Sequence, residues 1–449
     1  MERIVLCMRR KACVLLFILC SSLFAVQGES FGAESSLTLE RALALAREYN
    51  PLLSVAREQV LQSEADVEKA ASAMGPKVKV QASYTRYNED ARNPVFDAAG
   101  RPTGGFILEG FENTWQTAVV LTQVLYSGGT LSANRVAARL QAEARRAREI
   151  RTLQGVENGV KRAYYDLQRA RAFLVIAEES ARLAKEHLAV VEALFRHGAV
   201  AKNEVLRVQV DVSNAELLQI QSENAVNVAW KGLSRAVGIA LPENAALPEP
   251  EKPLEGVAFP SDPERLALEN RQEMRALDFM RQAALESVTA AEGQSKPQIF
   301  FEGKYQDVGD GFYPDKKDQW TLSLVAQWTL YDHGEVRSQA KKGRSMVREF
   351  LGQMDDLEKQ VILEVATARL NLESALKRTD VARTQVILAE EDYRMALQRY
   401  RVQAGTNLDV LDARVALVNA QNKLAASIYD AYTARADFAH ALGGGYEER

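Results

Sequence analysis

Apolar positions along this chain fall into two period-7 stripes set 205 residues apart. The first runs Val156, Val160, Ala163, Leu167, Ala170, Leu174, Ala177, Ala181, Ala184, Leu188, Val191, Phe195. The second runs Val361, Val365, Ala368, Leu372, Ala375, Thr379, Ala382, Val386, Ala389, Tyr393, Ala396, Tyr400. Alternating steps of four and three predict a helix with one narrow apolar seam, as in a coiled coil. Alanine dominates the seam, so a partner helix can approach closely. A long coiled-coil segment written twice predicts a duplicated architecture.

The rest of the pattern follows the same duplication. The first repeat spans 34–240: an opening helix from Leu39 to about Met74, a strand pair within 77–126, a long helix over 131–197 and a returning helix over 202–239. A Pro-rich linker covers 241–263. The second repeat spans 264–443: a helix from Pro263 to about Gln294, a strand pair within 298–331, a long helix over 334–401 and a returning helix over 407–442. Residues 444–449 remain as a tail. The second strand of each pair ends in a related turn, Leu125-Tyr126-Ser127-Gly128-Gly129 and Leu330-Tyr331-Asp332-His333-Gly334. A helix of some 65 residues is ~100 Å long, too long to bury its seam on itself.

The strands alternate with period 2. Val78, Val80, Ala82 and Tyr84 share one face, against Lys77, Lys79, Gln81 and Ser83 on the other. Trp320, Leu322, Leu324, Ala326 and Trp328 share one face, against Thr321, Ser323, Gln327 and Thr329. Such a dyad fits a membrane barrel strand with its apolar face to lipid, or a half-buried strand of a soluble sheet. On the barrel reading Val78, Val80, Trp320, Leu322, Leu324 and Trp328 face lipid. Four strands, 77–87, 114–126, 298–308 and 319–331, cannot close a barrel alone, so further copies of the chain are needed.

Composition adds a compartment. Arg9, Arg10 and Lys11 precede the apolar run Ala12–Val26, which predicts a cleaved signal peptide over 1–33, with cleavage after Gly28 or Ala33. All three cysteines, Cys7, Cys13 and Cys20, lie inside it. The formal charge is only −4, and no basic tract points to nucleic acid. His187, His197, His333 and His440 are scattered without ligand spacing, and no Gly-rich phosphate loop is present. No catalytic, cofactor or metal site is expected.

Two tip loops remain, Phe195–Leu206 and Tyr400–Asp412. Each opens with an aromatic residue and arginine and ends in an acid-Val-Leu triplet. Thr406 with Asp409 three later has the form of a capping box. Asp409 and Asp412, at i and i+3, also suit a ring of carboxylates around a pore. Both readings stand on the sequence.

The order helix, strand pair, long helix, tip and helix, written twice, resembles the TolC-like outer-membrane efflux proteins. The segment Tyr400–Asp412, continued through Ala413-Arg414-Val415 to Gln421, carries the resemblance most specifically. It implies a mainly α fold with a membrane β-barrel. Duplicated α-helical hairpins would form an α-barrel, and four strands per protomer would complete a 12-stranded trimeric barrel. It further implies a homotrimer in outer-membrane lipid, partnered by a periplasmic adaptor and an inner-membrane pump, proton-driven or ABC. The function implied is an exit duct for efflux or type I secretion, with no enzymatic activity. A non-pore structural coiled-coil protein of the envelope is the alternative. Asp409, Asp412 and Tyr400 match the family's gate. The family's tip arginine falls at Gly405 here, which leaves Arg401 as the nearest substitute. Gly198, Ala199, Val200, Gly405, Thr406 and Asn407 would form the adaptor-docking tips.

Overall fold

The computed structural model describes residues 37–88, 92–96, 101–108, 112–242, 248, 252–254, 257–310 and 318–444. The expected signal peptide and nearly all of the 444–449 tail lie outside them. The chain divides into two compact units. The smaller, Met1–Thr38 with Leu241–Glu249, is almost wholly outside the described residues. The larger, Leu39–Ala240 with Pro250–Arg449, holds every helix and strand described.

In chain order the first repeat holds α1 (Leu39–Tyr49), α2 (Pro51–Ser72), β1 (Lys77–Arg86), β2 (Arg92–Phe96), β3 (Pro102–Leu108), β4 (Asn113–Tyr126), α3 (Thr130–Arg196) and α4 (Lys202–Val237). The second holds α5 (Pro263–Asn270), α6 (Gln272–Gly293), β5 (Gln298–Gly309), β6 (Asp318–Gln327), α7 (Glu335–Arg401) and α8 (Asn407–Ala441). Helices α3 and α7 have 67 residues each, about 100 Å at 1.5 Å per residue.

The seam positions explain the long helices. Every member of the second stripe is buried or half-buried, Thr379 included, because its hydroxyl donates to the Ala375 carbonyl at 3.1 Å and leaves no unpaired polar group. In the first stripe Phe195 departs from expectation and is exposed. Toward the tips α7 packs on α8, α8 on α3 and α3 on α4. Toward the strands α2 packs on α3, α3 on α6 and α6 on α7.

Each opening helix was expected to be continuous, and each is broken. Asn50 (φ −68, ψ 123) and Arg271 (φ −67, ψ 122) are extended residues between two helices. Pro51 explains the first break, since it lacks an N–H and disfavours helical backbone at Asn50. No proline explains the second. There the buried Arg271 side chain does the same tertiary work as Asn50. Asn50 Nδ2 donates to the Ala236 carbonyl at 2.7 Å, and Arg271 Nε donates to the Ala441 carbonyl at 2.9 Å. Those acceptors are 205 residues apart, at the ends of the two returning helices. Gly238 and Gly443 follow them with φ of 98° and 84°, pressed against the breaks so that a Cβ would meet backbone of the facing helix junction.

The four longer strands form one antiparallel sheet in the order β1-β4-β5-β6. The expected loop between β1 and β4 carries an extra hairpin, β2 with β3. The register aligns Val78, Leu121, Gly303 and Leu322 in one row and Val80, Val119, Tyr305 and Trp320 in the next. Val78, Val80, Trp320, Leu322 and Leu324 are exposed on that apolar face. Trp328 is exposed as well, one residue beyond the strand. β6 ends at Gln327, and the Trp328 indole N–H donates to the Ser295 carbonyl at 2.9 Å, tying it to the end of α6. No helix among the described residues is long and apolar enough to cross a membrane.

Candidate gate at the helical tips

Both long helices end in the same reversal. Gly198 N–H donates to Phe195 O at 2.9 Å and Ala199 N–H to Leu194 O at 2.9 Å. One repeat later, Gln403 N–H donates to Tyr400 O at 3.0 Å and Ala404 N–H to Arg399 O at 2.8 Å. The left-handed residue of this C-terminal motif is Gly198 in one copy and Gln403 (φ 60) in the other. After the turn, α8 starts on Thr406, whose hydroxyl accepts from Asp409 N–H at 3.2 Å, while Thr406 N–H donates to Asp409 Oδ2 at 2.9 Å. The corresponding α4 starts on Ala201 with no side-chain cap.

Between the two tips lies a buried polar knot inside an apolar cluster of Val191, Val205, Val208, Tyr393, Ala396, Val410 and Leu417. Tyr400 OH donates to Glu204 Oε2 at 3.1 Å. Burial, and then the Glu204 carboxylate, push the Tyr400 phenol far above its ordinary range. Its ring meets His187 edge-on at 5.3 Å. His187 Nε2 lies 2.7 Å from Asn407 Oδ1, an acceptor, so Nε2 carries the proton. That leaves Nδ1 bare, buried and without a partner among the described residues. Burial holds the His187 imidazole below its usual value, against the opposing influence of Asn407 and Asp211. Arg414 on α8 donates to Ser180 Oγ on α3 at 2.6 Å and to Asp211 on α4. A buried guanidinium paired with a nearly buried carboxylate thus braces one hairpin against the other.

The predicted residues divide accordingly. Tyr400 is buried in the knot; Asp409 is exposed and serves its own helix cap, which holds its carboxyl below the ordinary range through the Thr406 N–H. Asp412 is exposed one turn on. Arg401 is exposed and forms no ion pair among the described residues; Arg414 supplies the cross-hairpin cation instead. At Gly405 an added Cβ would sit 3.0 Å from Arg399 Cβ, so a larger residue there would displace its neighbour. Gly198, Ala199 and Thr406 are exposed, and Val200 and Gly405 are half-buried. Asn407 was expected on the docking surface, but it is buried, with its Oδ1 turned to His187 Nε2. A cleft of ≈ 560 Å³ separates the tips, with Val200, Glu204, Tyr400 and Thr406 among its walls. His187, Ser180, Asp211 and Arg414 were missed. One signal was present: Ser180 and His187 are seven residues apart, a polar stripe running beside the apolar seam. Among the described residues no group of three or more His, Cys, Asp or Glu could hold a metal ion.

The model of the family described as outer membrane efflux protein matches residues 42–239 and 265–444. The chain belongs to that family. Its two matched segments leave out mainly the N-terminus and the linker. Among relatives, the probable efflux pump outer membrane protein TtgC of Pseudomonas putida is 23% identical over 324 residues, 68% of this chain and 63% of its own length. The chain thus spans less than two thirds of that relative. The outer membrane efflux protein BepC of Brucella suis is 22% identical over 92% of this chain and 86% of its own. The fold matches the solved channel structures of CusC, with a TM-score of 0.77, 17% identity and coverage of 94% and 96%. It also matches VceC of Vibrio cholerae, with a TM-score of 0.75, 20% identity and coverage of 91% and 97%.

Proposed function

We propose that this protein is a trimeric exit duct of the outer membrane. It would pass substrates delivered by an inner-membrane pump, proton-driven or ABC, through a periplasmic adaptor in tripartite efflux or type I secretion. It performs no covalent chemistry. The observation that carries the reading is the sheet. One face is apolar over the Val78 and Val80 rows and turns polar at the next row, Ala82, Thr117, Asp307 and Asp318; the other face is mainly polar; and β1 and β6 each keep one edge without a strand partner among the described residues. An open edge is prohibitive in lipid, so β6 of one protomer would pair with β1 of the next, and three protomers would close a barrel of twelve strands.

The helices support the same assembly. In the row α7–α8–α3–α4 the two end helices carry exposed apolar residues, Leu206, Val210, Leu217 and Val228 on α4, and Leu363, Leu370, Val381 and Leu388 on α7. Those faces suit α4 of one protomer against α7 of its neighbour. The closed tips would form the gate, with Asp409 and Asp412 at the pore and Gly198, Ala199, Val200, Gly405 and Thr406 toward the adaptor. Light scattering of the detergent-solubilised protein tests this: a trimer is expected, and a stable monomer in mild detergent would overturn it.

A further inference from the structure

The polar face of the sheet has a charge pattern that the gate does not use. Residues paired across antiparallel strands share a face. One row consists of Lys77, Thr122, Glu302 and Ser323; the next of Lys79, Val120, Lys304 and Thr321. A third row, Gln81, Ala118, Gln306 and Gln319, is neutral. It is partly locked by amide hydrogen bonds, Gln116 to Gln306 at 3.2 Å and Gln306 to Gln319 at 3.1 Å. Two adjacent rows therefore hold three lysines and one glutamate, and none of the four forms an ion pair among the described residues. Lys77 and Lys79 are exposed, and Lys304 is half-exposed.

We infer that Lys77, Lys79 and Lys304 form a basic girdle inside the barrel that selects for anions. The inference rests on the duct reading, which makes this face the lumen. Residues two apart on a strand are ~7 Å apart, and residues two strands apart are ~10 Å apart. Both spacings are close to the roughly 8 Å Debye length at physiological salt, so the lysines act on a passing ion together. Low-dielectric walls focus the field of charges lining a narrow aqueous hole. Rings of Lys or Arg are the recurring device of anion pores. Each protomer contributes a surplus of two positive charges, and a closed ring holds that surplus three times over. The sign is opposite to that of Asp409 and Asp412 at the tip. The duct would therefore carry a cation-attracting entrance and an anion-attracting barrel, suited to anionic or zwitterionic cargo.

Reversal potentials of the intact protein in planar bilayers under a KCl gradient test the girdle. Lys79→Gln with Lys304→Gln should lower the chloride-to-potassium permeability ratio by roughly two-fold or more, and Lys79→Glu with Lys304→Glu should lower it further. Asp409→Asn with Asp412→Asn should move the ratio the other way. A variant that fails to assemble is replaced by a second measurement. With Cys7, Cys13 and Cys20 changed to serine, Lys79→Cys is treated with anionic and cationic thiol reagents of equal size. Normalised to a small thiol in solution, the anionic reagent should react several-fold faster. Pores with an unmoved ratio, or equal normalised rates, overturn the girdle alone. A protein that forms no pore overturns the duct reading and the girdle with it.

Discussion

Glu204 and Asp409 occupy the same place in the two repeats, the third residue of a returning helix, 205 positions apart. They do different work. Asp409 folds back onto the Thr406 N–H and caps its own helix. Glu204 follows Ala201, which has no hydroxyl to complete a reciprocal cap, and it reaches across to Tyr400. Tyr400 in turn is buried, whereas its counterpart Phe195 is exposed. Duplication thus preserved the backbone of the tip and divided the labour. One tip keeps its acid for its own cap, and the other sends Glu204 across to Tyr400. Arg414 repeats the lesson, since its counterpart Gln209 is exposed.

Removing the brace should break this division most severely. Arg414→Ala leaves Asp211 buried without its cation and should destabilise the tip by about 3–5 kcal/mol. Gln209→Ala should be neutral within ~0.5 kcal/mol. Hydrogen exchange of tip amides reads both, and equal effects would erase the asymmetry.

Acidification should act on the same knot. The His187 imidazole is held below its ordinary value of 6.5. The packed tip therefore prefers neutral His187. Its stabilising contribution is present above that value and is lost as pH falls through it toward the depressed one. Protonation would place a cation beside Arg414 and Arg401, only partly offset by Asp211. Tip protection measured from pH 7.5 down to 5 should fall in the native protein and stay flat in His187→Gln.

Tyr400→Phe deletes a bond to a carboxylate and should cost ~1.5–3 kcal/mol, whereas Phe195→Leu should change little. Thr406→Ala should cost about 1 kcal/mol of helix stability. Ala201→Thr should recover part of a cap for α4 while competing for Glu204. If Ala201→Thr leaves Tyr400 fluorescence and exchange unchanged, the two acids do not exchange roles. The smallest effect is at the left-handed turn. Gln403→Gly should stabilise by up to ~1 kcal/mol, and Gly198→Gln should cost a similar amount.

Local periodicity determined much of this protein. The seam positions, the alternating strands and the two tips are properties of neighbours within a few residues, where helix and strand geometry alone sets the pattern, and the duplication is legible as the same local pattern written again 205 positions on. The Thr406–Asp409 cap was legible for the same reason. Trp328 shows the limit: its parity matches β6, but the strand ends at Gln327 and the indole N–H donates to the distant Ser295 carbonyl. Arg271 shows it again, because a helix break without proline has no local signature.

What only the tertiary structure decided is which distant polar groups meet. Arg414 lies 234 residues from Ser180 and 203 from Asp211, and His187 lies 220 from Asn407. Burying a polar side chain costs least where a partner satisfies it, and that partner is fixed by helix packing rather than by spacing in the chain.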